Sequence, residues 1–61
     1  MNAQDKLKEI IATLEAAQAD ARKFDAGGNA FGTMVRKALS QAAAQCKALR
    51  VQVQAVREER K

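Results

Sequence analysis

Three arginines, Arg36, Arg50 and Arg57, share one phase of a seven-residue spacing, with Ala43 in the gap, and Lys47 and Arg60 lie three residues from members of that row. A guanidinium is permanently charged and carries a fork of donors that matches phosphate oxygens, so the chemistry on offer is anion binding and not bond making. On a helix the row from Arg36 to Arg57 would run about 30 Å, a distance over which the phosphates of a duplex recur, and each neutralised phosphate releases counterions. A second contact is available where Gly28, Asn29, Gly32 and Thr33 place amides and a hydroxyl at the positive start of the same helix, with Arg36 and Lys37 one turn on. The same residues also serve a plain purpose, since Gly-Gly-Asn is what a helix hairpin needs and Gly32 permits close packing.

Bond-making chemistry finds little support. The 61 residues include no His, Tyr, Trp or Pro and a single Cys, and aromatic residues make up only 3%. General acid–base catalysis and metal ligation lose most of their usual side chains, so no enzyme, no metal site and no cofactor is expected. Glu15 and Asp20 are five apart, which on a helix does not make them neighbours, and nothing else assembles around them. Cys46 falls in an apolar seam and is expected to be a small buried core thiol. Phe24 and Phe31 flank the turn and are expected to close the end of the core, with Met34 as packing.

The elements that must hold the basic row are helices. Ala, Leu, Gln, Lys, Arg and Glu dominate, all good helix formers, and the only punctuation is Gly27-Gly28-Asn29. This predicts helix one over about 3–26, a turn at 27–29 and helix two over about 30–60, in one domain spanning 1–61. Asn2 is the expected cap of the first helix, with Asp5 as its acidic partner, and Asn29 that of the second. Arg22 and Lys23 sit near the negative end of the first helix dipole.

Both helices carry an apolar 4, 3 alternation. In helix one it runs through Ala3, Leu7, Ile10, Leu14, Ala17, Ala21 and Phe24, widened by Ile11. In helix two it runs through Val35, Leu39, Ala42, Cys46, Leu49, Val53 and Val56. Two such seams joined by a tight turn predict an all-α, two-helix antiparallel hairpin of coiled-coil type. Helix one would reach roughly 36 Å and helix two roughly 45 Å, leaving the end of the second unpaired within one chain. Two helices cannot enclose all these side chains, and chains this small without disulfides or metals gain burial by associating. A homo-oligomeric helix bundle, most simply a homodimer, is expected.

The net charge of +4 is unevenly spread. Residues 1–30 hold four basic and five acidic side chains, whereas residues 31–61 hold seven basic and two acidic, and no acidic residue lies between Phe31 and Arg57. A merely solvated helix face usually mixes signs. Double-stranded DNA is therefore the expected partner, with Arg36, Lys37, Lys47, Arg50, Arg57, Arg60 and Thr33 as the contact residues. A small-molecule substrate is not expected, and neither is a membrane: no apolar run reaches bilayer length and no broad aromatic-anchored face is present. The lone Cys and the lack of a secretory leader pattern predict an intracellular protein.

From the turn into helix two, Gly28-Asn29-Ala30-Phe31-Gly32-Thr33-Met34-Val35-Arg36-Lys37-Ala38 resembles the bacterial histone-like proteins of the chlamydial linker-histone-like type. The likeness continues to Lys61 as a pattern of alternating basic and apolar residues, and more weakly through helix one. It implies a helical DNA-binding protein of the nucleoid, in the cytoplasm, that coats or compacts the chromosome. Arg36 and Lys37 match basic positions of the motif, and Gly32 and Thr33 match its helix-start residues. Met34 stands where the family often has Arg, one phosphate contact fewer. The Lys-, Ala- and Pro-rich tail of the chlamydial members is missing from the sequence, so compaction is expected from the folded part and its oligomers. The sequence thus supports a histone-like protein that binds duplex DNA largely without sequence specificity. The alternative is a structural coiled-coil module that pairs with helices of another protein, its charges setting solubility and pairing choice.

Overall fold

The computed structural model describes residues 2–60. Among them regular structure consists of α1, Ala3–Asp25, and α2, Ala30–Glu59. α1 starts where Asn2, in extended conformation, accepts a hydrogen bond at its side-chain oxygen from the Asp5 amide at 2.9 Å. It stops in a Schellman arrangement: the Gly28 amide donates back to the Lys23 carbonyl at 3.0 Å and the Gly27 amide to that of Phe24, also at 3.0 Å. The device requires the left-handed φ of +109° at Gly27, where a side chain would be strained.

α2 begins differently from the sequence expectation. Asn29 has already turned into helical conformation and its side chain makes no capping bond. The Gly28 and Asn29 carbonyls accept from the Phe31 and Gly32 amides at 3.0 and 3.1 Å, so tight backbone turns replace the expected Asn cap.

The helices pack antiparallel. At the turn Phe24 lies on Gly32, and at the far end Asn2 and Ala3 share a groove with Val53, Val56, Arg57 and Arg60. That register corrects the expected overhang, because the start of α1 reaches the last turns of α2. The result is a rod of 52 × 15 × 13 Å.

Its core is small: Ile10 and Ala17 of α1 against Ala42 and Leu49 of α2 are the buried residues, and among the described residues no large side chain is completely enclosed. Half-buried flanks come from Lys6, Thr13, Asp20 and Ala21 on α1, and from Val35, Ala38, Gln45, Gln52 and Val56 on α2. The alternation is therefore present, but its second set differs from the apolar one. The hairpin keeps Ile10, Val35, Leu49 and Val56 inward and turns Ala38, Gln45 and Gln52 towards α1, leaving Leu39, Cys46 and Val53 outside. On α1, Leu7, Leu14 and Phe24 are likewise exposed, at 50%, 42% and 44%. Cys46, expected in the core, is an exposed thiol. The physical reason is that one helix contacts a single partner over one narrow stripe, and Ala17 and Ala42 let the backbones close along the line of Ile10 and Leu49, which leaves the apolar side chains beside that line uncovered.

Phe31 is half-buried and carries the Lys23 ammonium 5.0 Å from its ring centroid, a cation–π contact that ties the end of α1 to the start of α2. No helix among the described residues is long and apolar enough to cross a membrane.

Candidate nucleic-acid interface

α2 is a continuous 30-residue helix, so side chains seven apart stay in one row along it. Arg36, Lys37, Lys47, Arg50, Arg57 and Arg60 are all exposed, as is Thr33. Among the described residues, none of Arg36, Lys37, Lys47 and Arg50 makes an ion pair. Their charge is not spent inside the molecule. Lys47 and Arg50 line a shallow depression with Val51 and Gln54, and Arg57 and Arg60 line the next with Gln54 and Glu58. Gln54 thus joins the two halves of the basic row, its side-chain amide donating to the Glu58 carboxylate at 2.9 Å. The sequence signal for Gln54 is its place four after Arg50 and three before Arg57, which sets it on the same helix face.

The row borders a second feature. Arg50 and Arg57 line one groove with Leu7, Cys46 and Val53, above Ile10 and Leu49. The groove on the other side of the hairpin is lined by Lys6, Glu9, Gln45 and Gln52 over the same floor. One face of the rod is apolar with an arginine rim and the other is polar.

The turn offers less to an anion than its sequence promised. The Gly28, Asn29 and Gly32 amides already donate to the carbonyls of Lys23, Gly27 and Asn29. What remains there is the exposed Thr33 side chain, with Arg36 and Lys37 one turn further on.

The arrangement holds an open row of exposed cations on one continuous helix. Contacts from such a row to a repeating anion would be set by position and charge. Comparison with curated proteins and with solved structures returns no match. The family model of the histone H1-like protein Hc1 matches residues 4–59, from the first turn of α1 to the last residue of α2. With its basic helix, its hairpin and nearly its whole length inside that match, the chain belongs to the histone H1-like protein Hc1 family.

Proposed function

We propose that this chain is a nucleoid-associated protein that binds double-stranded DNA largely without sequence preference, along the α2 row of Arg36, Lys47, Arg50, Arg57 and Arg60, with Lys37 and Thr33 at its start. The observation that carries the reading is the match to a histone H1-like family across residues 4–59, and the exposed, unpaired arginines of α2 supply its chemistry. Contacts from Lys and Arg to phosphate fix position without reading bases, and Gln54, the amide side chain between Arg50 and Arg57, is engaged by the Glu58 carboxylate. Two or more hairpins assembled together would present several such rows, so that one particle coats a duplex or bridges two, with avidity above that of a single row.

A second reading draws on the apolar face: a module that docks on helices of another protein, its charges serving solubility. Fluorescence anisotropy of unrelated duplexes of about 30 base pairs at several salt concentrations separates the two. The DNA reading expects similar affinity for every sequence and a fall that is linear in log salt, with a slope of about −0.9 per phosphate contact. Absence of binding near physiological salt would leave the docking module.

A further inference from the structure

The apolar groove is the middle of a longer surface. On α1, Leu7 and Leu14 are seven apart with Ile11 between them, and on α2 Leu39, Cys46 and Val53 keep one seven-residue phase. All six are exposed. Because Leu7, Cys46 and Val53 share one groove, and residues seven apart share a helix face, both rows lie on the same side of the rod. The hairpin has buried Ile10, Ala17, Ala42 and Leu49 and left these other aliphatic side chains in water.

We propose that a second copy of this chain covers this face, in a two-fold dimer whose axis runs along the helices, so that α1 of each copy lies on α2 of the other. This rests on the assembled form proposed above and names its face and its symmetry.

Four observations choose that occupant. A core of Ile10, Ala17, Ala42 and Leu49 with no fully enclosed large side chain leaves a chain of this size short of burial, and each copy lacks what another copy would supply. The rod presents a face of 52 × 15 Å, about 800 Å² in projection, which gives room for the surface each partner contributes to a standard stable interface. An apolar centre with Arg50 and Arg57 at its edge has the anatomy of such an interface, and arginine stems can lie over the aliphatic centre while the guanidiniums stay wet. Finally, only one of the two faces is apolar, so self-pairing closes on itself and does not propagate into a stack.

Charge selects the axis. The first thirty residues carry one more acidic than basic side chain, and the remainder carries five more basic than acidic ones. A two-fold axis across the helices would set α2 on α2 and press the arginine rows together. An axis along the helices sets each α2 on the other copy's α1. That axis also keeps a residue and its twin at the same height, so the two Cys46 thiols face each other across the bundle. With neighbouring helix axes about 10 Å apart, the two α2 axes lie about 14 Å apart on the diagonal, with both thiols directed inward.

Sedimentation equilibrium of the full chain without DNA, at micromolar concentration and about 0.15 M salt, should give twice the chain mass. Leu39→Asp with Val53→Asp should give the single chain mass, and Gln41→Glu, away from this face, should leave the dimer intact. Asn29→Cys in a Cys46→Ala background, spin-labelled at the exposed turn, should give a label-to-label distance far below the 52 Å rod length, because this axis sets both turns at the same end. A wild-type monomer, a larger closed assembly, or a dimer indifferent to Leu39→Asp with Val53→Asp would overturn the proposal. A dimer whose turn labels stand apart by nearly the length of the rod would overturn the axis, whether or not the aspartates fold. These measurements contain no DNA, so a dimer that ignores DNA refutes only the nucleoid reading, and a monomer that binds DNA refutes only the dimer.

Discussion

The ring of Phe24 lies so close over Gly32 that a Cβ built on Gly32 would stand 2.9 Å from the ring's Cε1. Gly32 is inside α2, where alanine is intrinsically better than glycine by about 1 kcal/mol, so the contact and the propensity pull in opposite directions. Gly32→Ala is expected to stabilise a Phe24→Ala background by about 0.5–1 kcal/mol and to lose that gain when Phe24 is present. A double-mutant cycle in urea, at fixed protein concentration, measures the coupling; equal effects in both backgrounds would mean that the ring moves aside at no cost.

The two asparagines at the helix starts should respond differently. Asn2→Ala removes the bond from the Asp5 amide and should cost about 1 kcal/mol. Asn29→Ala removes no capping bond and should change stability by less than about 0.5 kcal/mol. Denaturation midpoints of the two variants decide it, and a larger loss at Asn29 would contradict the observed start of α2.

Gln45 turns its side chain towards α1, where its amide oxygen is buried without a hydrogen-bond partner. Gln45→Met keeps the length and the helix preference while removing that oxygen. Stability should rise by about 1 kcal/mol. A loss would show that the amide is satisfied in solution by water in the polar groove it shares with Lys6 and Glu9.

On the DNA reading, Arg50→Ala should weaken binding uniformly across unrelated duplexes and lower the magnitude of the salt slope by about 1. Arg36→Glu with Arg50→Glu should lower affinity further without altering helicity, because both residues are exposed. Circular dichroism and anisotropy on the same samples test this, and unchanged affinity would remove the row from the interface.

The sequence made the helices and their turn legible because Gly27-Gly28 interrupts two uninterrupted helix-forming runs. It also located the positions Ile10, Ala17, Ala42 and Leu49 that form the core. It did not say on which side of those positions the partner helix lies. Leu39 and Ala38, Cys46 and Gln45, Val53 and Gln52 are adjacent pairs, and either member completes the same 4, 3 alternation. Apolarity favours the first member of each pair, and the hairpin uses the second. Hydrophobic pattern reports that a side chain is to be buried, not by which neighbour. The exposure of the basic row was readable from its phase beside the seam. The occupied amides at Gly28, Asn29 and Gly32 were not, because they depend on Asn29 entering helical conformation, a choice its residue type does not dictate.

The rod's dimensions set a limit of their own. Laid along B-form DNA, 52 Å of protein covers about 15 base-pair steps and meets about 30 phosphate charges, and it brings a net charge of only +4. Chains aligned end to end along a duplex would therefore fill the available length while most of its charge remains. Crowding, not electroneutrality, would end such a titration, and the sheathed filament would still be a polyanion that repels its neighbours. Drawing filaments together then falls to particles that present cations on two opposite sides at once.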